Sequence, residues 1–399
     1  MSARPLTVML VAAEASGDIL GADLAAALRR RLGDRVRFIG VGGARMAAEG
    51  VASPFDIAEL SILGIFEGVA AYPRVRRRVA DTVALAARER RAGNRPDVAV
   101  LIDSWGFTLR VAKGLRRLDP TIALVKYVGP QVWASRPGRA KTLAGAVDLL
   151  LAIHAFDAPW FERAGLKTVF VGNSTLARDV SSADGARFRS RRGLAAETPL
   201  LLVLPGSRRS EVARLAAPFG EAVARLCAAR PELRLAVPVA ATVAAEVDAM
   251  TAGWPTPPLR IDGDADKLDA MAAATVALAC SGSVATELAL AGCPMVVAYR
   301  VGPLTYRVLK RLVTTRFITL FNIAADRAVA PEFIQGDCTG GTLAAALAER
   351  LDDPALRNRQ IADQFAALQA MGRDPALVPA ERAAEAVLAA LPLPQGERA

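Results

Sequence analysis

The sequence predicts an α/β protein built from two doubly wound, Rossmann-like domains, and three observations carry that expectation. The 399 residues exceed the size at which one hydrophobic core stops growing, so two compact domains are expected. The hydrophobic share is 53% with only 5% aromatics, so Ala, Val and Leu must fill the interior, as stacked helices and doubly buried strands require. Short unbroken apolar runs recur between turn signals, with amphipathic stretches separating them, which is the pattern of parallel strands joined by crossover helices.

In chain order, the first set of runs is Leu6–Ala13, Arg37–Val41, Asp97–Asp103, Ile122–Val128, Val147–Ile153 and Thr168–Gly172. The polar stretch Ser181–Arg192, SSADGARFRSRR, reads as a linker. The pattern restarts at Leu200–Leu204, Leu235–Val239, Thr275–Ala279 and Met295–Tyr299, with a long helical segment at Arg209–Ala229. Helical segments around Leu343–Leu351, Asn358–Met371 and Pro379–Leu391 close the chain. The expected domains are therefore 1–180 and 181–355, followed by a helical segment 356–399 that packs back on the first. No short solenoid-type repeat is present.

Composition narrows the function classes. Cys227, Cys280, Cys293 and Cys338 show no paired C-x-x-C spacing and read as reduced core residues of a cytosolic protein. Neither a secretory leader nor an apolar run long enough to span a bilayer is expected. The net charge of +10 suits phosphorylated substrates, anionic lipid or nucleic acid, although a coding bias towards Arg would load the surface in the same way. Scarce aromatics and the lack of zinc-finger or RNP-like signatures argue against nucleic acid.

Ligands of open parallel sheets bind beyond the carboxyl ends of the strands, so the residues following each run are the first to inspect. After the first run comes Glu14-Ala15-Ser16-Gly17-Asp18, where glycine permits close approach and a helix start favours anions. It is neither G-x-G-x-x-G nor a Walker loop, and a plain strand-to-helix turn is the alternative. Asp103 ends its run beside apolar neighbours, where desolvation raises a carboxylate's basicity and suits it to deprotonate a hydroxyl; a helix cap is the competing role. Pro205-Gly206-Ser207-Arg208 combines amides at a helix start with a guanidinium fork, the ingredients for holding a diphosphate, against the plainer reading of a solvated helix start. Ser281-Gly282-Ser283 offers amides and hydroxyls to phosphate, while Glu287 within the following helix is placed either to accept the hydroxyls of a ribose or simply to face solvent.

The stretch Ile62–Val79 sets Ile62, Leu63, Ile65 and Phe66 before Arg74, Arg76, Arg77 and Arg78. Such a segment can receive acyl chains or enter a lipid interface while its arginines meet anionic headgroups; an ordinary amphipathic helix is the alternative.

Taken together, these motifs resemble the lipid-A-disaccharide synthase family, inverting glycosyltransferases of the two-lobed GT-B architecture with the lobes facing across a cleft. The resemblance runs from about Leu6 to Leu351 and is carried by AEASGDILGA (Ala13–Ala22), GVGGARMAAEG (Gly40–Gly50), ILGIFEG (Ile62–Gly68), PDVAVLID (Pro96–Asp103), YVGPQVWASR (Tyr127–Arg136), LPGSRRSEV (Leu204–Val212), SGSVATELALAGCPMVVAYR (Ser281–Arg300) and FNIAADRAVAPEFIQ (Phe321–Gln335). It implies UDP-2,3-diacylglucosamine as donor, 2,3-diacylglucosamine 1-phosphate (lipid X) as acceptor, and the β-1,6-linked disaccharide 1-phosphate plus UDP as products. By motif, Asp103 falls on the family's essential aspartate, Arg208 on the arginine beside the diphosphate, Asn322 on its functional asparagine and Glu287 on its ribose-binding acid. Gln335 completes the donor pocket, and Glu14, Ser16, Gly17, Asp18 and Asn173 line the acceptor side.

The resemblance further implies no metal and no cofactor, and the sequence has neither a D-x-D run nor a His/Cys ligand cluster. It also implies a cytoplasmic enzyme attached peripherally to the inner membrane's anionic face. The chain departs from the family's pattern where Gly-His becomes Gly172-Asn173-Ser174, where Pro-Asp-Phe becomes Trp105-Gly106-Phe107, and where Pro-Asn becomes Phe321-Asn322. The first of these removes the imidazole expected near the cleft, and His154, the only histidine, reads as a packing residue. These departures keep two other readings in view: a GT-B relative with a different UDP-GlcNAc-type donor or acceptor, and a binding protein that has lost turnover.

Overall fold

A computed structural model describes residues 4–60 and 72–391. The chain divides into two compact units, one of Met1–Asn173 with Ala376–Ala399 and the other of Ser174–Pro375.

In the first unit the strands are β1 (Leu6–Val11), β2 (Val36–Val41), β3 (Val98–Ile102), β4 (Ala123–Tyr127), β5 (Leu149–Ala152) and β6 (Thr168–Phe170). They pair in parallel in the order β2-β1-β3-β4-β5-β6. Every residue of β3, β4 and β5 is buried, which is why these strands read as continuous apolar runs. Successive side chains alternate between two cores: Met9 and Val11 join Val111 and Leu115 on one face, while Val8 and Leu10 join Leu24, Leu28 and Val387 on the other. Helix Ala15–Leu32 reaches that second face closely because residue 21 is glycine; a Cβ there would lie 2.5 Å from Met46 Sδ.

The second unit repeats the plan with β7 (Leu200–Leu204), β8 (Arg234–Pro238), β9 (Leu259–Ile261), β10 (Val276–Cys280), β11 (Met295–Tyr299) and β12 (Glu332–Ile334). Their order is β12-β11-β10-β7-β8-β9, again all parallel. The α/β class and its doubly wound sheets thus match the expectation from sequence. The outermost strands, β9 and β12, were not expected. Each is three residues long and carries a charged residue, Arg260 or Glu332, so neither rises above the threshold of an apolar run.

Two further expectations are corrected. The stretch read as a linker contains helix Gly185–Arg191, which belongs to the second unit. Phe188 is fully buried there, Asp184 caps the helix by accepting from the Arg187 amide, and buried Asp269 accepts from the Arg187 guanidinium at 2.7 and 2.9 Å and from Arg191 at 2.8 Å. One aromatic anchor and one buried carboxylate make structure of a segment whose polarity suggests none. The terminal segment also splits. Helix Pro354–Ala370 stays with the second unit, where Gln360 and Gln364 donate to the carbonyls of Met295 and Cys293. Only helix Pro379–Ala389 packs on the first unit, burying Ala383, Ala384 and Val387 and seating Glu381 against Arg30 and Arg31. All four cysteines are free and buried, and no described helix is long and apolar enough to cross a membrane.

Arg187 and the Asp184 amide hold the Asp269 carboxyl below the usual carboxylate range. The stabilisation is therefore complete above the ordinary carboxylate pKa and is lost as pH falls below about 4. Asp269→Asn is expected to cost about 3 kcal/mol in urea unfolding at pH 7, and less at pH 3.

Candidate active site

In the second unit the chain winds from β7 through β8 to β9, then crosses back and winds outward through β10, β11 and β12. The helices following β7 and β10 consequently leave the sheet on opposite faces, and a crevice opens between the carboxyl ends of those two strands. A cavity of about 540 Å³ lies there, walled by Pro205–Arg208 after β7, Val239 and Ala240 after β8, Gly263 and Asp264 after β9, and Ser281–Val284 after β10. Helices Arg209–Ala229, Asp264–Ala273 and Ser283–Leu290 begin at its rim, so the positive ends of their dipoles converge on it.

Arg208 is the more exposed of the two cations lining this cavity, with its side chain 73% exposed against 21% for Lys267 and one guanidinium nitrogen 3.1 Å from Glu211. The other Glu211 oxygen accepts from the amides of Ser207 (3.2 Å) and Arg208 (3.3 Å). Gly206 makes this possible, since it has φ 113° and a Cβ on it would stand 2.6 Å from that carboxylate. The Ser207 amide expected to hold phosphate is thus engaged by the chain's own carboxylate, and the loop presents its guanidinium instead. Ser281, Gly282 and Ser283 line the cavity at the start of their helix, as the sequence predicts.

Glu287 also lines the cavity, nearly buried at 13% side-chain exposure, with Lys267 Nζ at 2.8 Å and Arg178 at 3.3 Å. Lys267 escaped the sequence reading because β9 did; once β9 is recognised, Gly263-Asp264 and the lysine one turn into the next helix occupy a strand mouth like the others. Burial pushes the Cys280 thiol up to about 12, so this wall residue stays protonated near neutral pH and is no nucleophile.

Asn322 and Gln335 lie outside this cavity, contrary to the expectation of a donor pocket. Asn322 is fully buried; it donates to the Ala330 carbonyl (2.8 Å) and Glu332 (2.7 Å) and accepts from the amides of Val329 (2.9 Å) and Ala330 (3.0 Å). With its donors and acceptor engaged, it ties the segment leading into β12 rather than facing a ligand. Gln335, at φ 54°, accepts from the Val301 amide (2.8 Å) and donates to the Val301 carbonyl (3.2 Å), bridging the mouths of β11 and β12.

In the first unit the winding reverses between β1 and β3; Glu14–Asp18 follow β1 and Asp103 follows β3, whereas the remaining predicted acceptor residue, Asn173, follows the edge strand β6. Glu14 and Ser16 are exposed after β1. Gly17 is buried against Ala12 and Ile102, where a Cβ would meet Ala12 at 3.2 Å. Asp18 is corrected: its buried carboxylate accepts from the amides of Gly43 (2.7 Å), Arg45 (2.9 Å) and Met46 (3.0 Å), clamping the loop after β2.

Asp103 ends β3 half-buried, and both it and Ser104 adopt left-handed backbone, with φ 45° and 41°. Two successive non-glycine residues in that region cost on the order of 1–3 kcal/mol each and are typical of functional sites. The capping alternative fails, because the start of helix Trp105–Leu118 has no side-chain cap hydrogen bond. The Asp103 amide donates to the Tyr127 carbonyl (2.8 Å), and its own carbonyl accepts from Thr108 Oγ1 (2.7 Å) and from Nζ of Lys126. Burial draws the Lys126 pKa down to about 7, against the opposing pull of the Asp103 charge. The sequence reading absorbed Lys126 into an apolar strand.

An imidazole, that of His154, lies beside position 173. Asn173 Nδ2 lies 3.2 Å from His154 Nε2, while His154 Nδ1 lies 3.3 Å from Asp157, whose other oxygen accepts from Trp133 Nε1 at 2.7 Å. His154 is therefore buried beside an expected acceptor residue, stacked on Phe156 at 5.2 Å.

Of the predicted lipid-facing residues, Ile62, Leu63, Ile65 and Phe66 lie outside the described residues. Arg78 is a structural residue: it pairs with Glu59 (2.6 Å) and Asp81 (2.9 Å) and stacks over Phe55. Arg74 donates to the Glu59 carbonyl (3.5 Å), and Arg77 lies 3.8 Å from the Glu59 carboxylate. Arg76 instead joins Arg110, Lys113 and Arg117 around a groove of about 560 Å³ floored by Val79, Val83 and Leu118, between helices Tyr72–Arg91 and Trp105–Leu118.

Among the described residues, no group of three or more His, Cys, Asp or Glu side chains is placed to hold a metal ion. The second unit thus has a cavity lined by helix starts and Arg208, and the first has Asp103 at the mouth of β3.

Comparison with known proteins bears on family and fold. Residues 8–384 match the family described as lipid-A-disaccharide synthetase. The lipid-A-disaccharide synthase of Paramagnetospirillum magneticum is 44% identical over 96% of this chain and 97% of its own length, and that of Rhodospirillum centenum 43% identical over 96% and 94%. Among solved structures, the UDP-GlcNAc 2-epimerase of Neisseria meningitidis bound to UDP-GlcNAc aligns with TM-score 0.59 at 9% identity, covering 97% of this chain and 99% of that one. A glycosyltransferase from Rickettsia africae aligns with TM-score 0.58 at 10% identity, covering 98% and 100%. At such low identity these two likenesses bear on fold alone, and the fold is GT-B. With a full-length profile match and relatives above 40% identity, the chain belongs to the lipid-A-disaccharide synthase family.

Proposed function

We propose that the chain is an inverting, metal-independent glycosyltransferase that joins UDP-2,3-diacylglucosamine to the 6-hydroxyl of lipid X, giving the β-1,6-linked disaccharide 1-phosphate and UDP. The observation that supports it most is the cavity at the β7–β10 divergence, where Arg208, the converging helix starts and Glu287 match the needs of a uridine diphosphate. Asp103 removes the proton of the acceptor hydroxyl as its oxygen attacks the donor's anomeric carbon. The bond from that carbon to the diphosphate breaks, and Arg208 with the start of helix Ser283–Leu290 carries the charge left on UDP. Ser281, Gly282 and Ser283 hold phosphate oxygens. Glu287 exchanges part of its pairing with Lys267 and Arg178 for the ribose hydroxyls. Glu14, Ser16, Gly17 and Asn173 face the acceptor, with Asn173 held by His154, while Asp18, Asn322 and Gln335 shape their loops from behind.

The same reading places the enzyme at the cytoplasmic face of the inner membrane, where its acylated substrates lie. The groove of Arg76, Arg110, Lys113 and Arg117 supports attachment, since each basic residue near an anionic surface contributes about 1 kcal/mol.

Purified enzyme given diacylated donor and lipid X is expected to form the disaccharide by mass spectrometry; use of UDP-GlcNAc alone would sink the assignment. Arg208→Ala is expected to weaken UDP binding in calorimetry by about 10–100-fold and to lower kcat/KM at least as much, because an ionised hydrogen-bond donor is lost. Asp103→Asn should keep UDP affinity and lose turnover. For the groove, Arg76→Glu with Lys113→Glu is expected to weaken sedimentation with vesicles containing phosphatidylglycerol by over about tenfold, leaving neutral vesicles unaffected; equal sedimentation would remove the groove from the membrane reading.

A further inference from the structure

β4 is an interior strand buried on both faces, yet its fourth residue is a lysine. Burying an ammonium works against the fold, and an apolar side chain of similar length is generally no worse for stability. A charge retained in such a place conflicts with its local pattern, which directs attention to what the charge touches.

Lys126 Nζ donates to the Asp103 carbonyl and to Thr108 Oγ1 (2.9 Å), and it makes no ion pair among the described residues. Thr108 Oγ1 in turn donates to that same carbonyl (2.7 Å). Two donors from different elements, β4 and helix Trp105–Leu118, therefore converge on one peptide oxygen. That oxygen belongs to the peptide between the two left-handed residues, Asp103 and Ser104. Unfavourable backbone of this kind persists only where its surroundings over-determine it, and this pair of donors does so. On the other side, the Asp103 amide is fixed to β4 through the Tyr127 carbonyl (2.8 Å). Both peptide groups of Asp103 are thus held, leaving its side chain as the free part of the residue.

We propose that Lys126 is a positioning residue for the transfer reaction: with Thr108 it grips the Asp103 carbonyl and so sets the direction in which the Asp103 carboxylate leaves the mouth of β3. This rests on the reading of Asp103 as the base. Burial is what lowers the Lys126 pKa, and the Asp103 charge opposes it.

The test compares Lys126→Met, Thr108→Val and Asp103→Asn with the wild type. Each is read by thermal melting, UDP calorimetry, and kcat and KM with diacylated donor and lipid X. Lys126→Met is expected to lower kcat by about 10–100-fold while UDP affinity and donor KM stay within about twofold and melting is preserved, because only aim is lost. Thr108→Val should act in the same direction, and the two together should be less than additive. Wild-type kcat in both variants, with Asp103→Asn inactive, overturns the role of Lys126 and leaves that of Asp103 standing. Full activity in Asp103→Asn overturns the reading beneath it. A kcat loss matched by losses of melting temperature and UDP affinity marks a fold defect and also overturns the proposal.

Discussion

Parallel strands hydrogen-bonded on both sides leave a sheet only at their ends, and all of the chemistry inferred for this chain follows from where neighbouring ends part. In each unit the winding reverses once, between β1 and β3 and between β7 and β10. At those places adjacent strands send their chains to opposite faces, so their carboxyl ends are not covered by a shared connection. Asp103 stands at the first reversal and Arg208 at the second. The position of each at a reversal is what gives it an open side.

A second theme is how polar side chains near these openings are used. Asp18, Asn322, Gln335 and one oxygen of Glu211 are engaged with backbone groups, holding loops in conformations that helix and sheet bonding leave unsatisfied. Arg208, Ser281 and Ser283 instead line open space. A motif of eight or ten residues therefore mixes groups that build a loop with groups that use it. Replacing a builder damages the site without that residue touching a ligand, and the buried, saturated Asn322 is of this kind.

This mixture also sets how much was legible in advance. The paired sheets, most of their strands and the loops that form the cavity are readable, because burial on two faces imposes long apolar runs and the ends of those runs locate the loops. The direction of a side chain within a loop is not readable. Whether Asp18 meets a ligand or three amides turns on a few ångströms of backbone path that spacing does not encode. Short edge strands leave too little pattern, which hid β9 and with it Lys267. Lys126 was hidden for the opposite reason: four apolar neighbours made its strand so clear that the charge inside it went unread. His154 reads as a packing residue because spacing does not encode that its ring lies beside Asn173.

The return of helix Pro379–Ala389 to the first unit has a consequence for biogenesis. Its partners, among them Leu24, Leu28, Arg30 and Arg31, are made before the second unit, and the covering helix is made after it. While a ribosome translates the intervening second unit, one face of the first sheet keeps apolar surface open to water. A nascent chain in that state is prone to association until its last helix emerges. The lag is set by the length of Ser174–Pro375, so slow translation of that stretch would burden chaperones more than slow translation of the first.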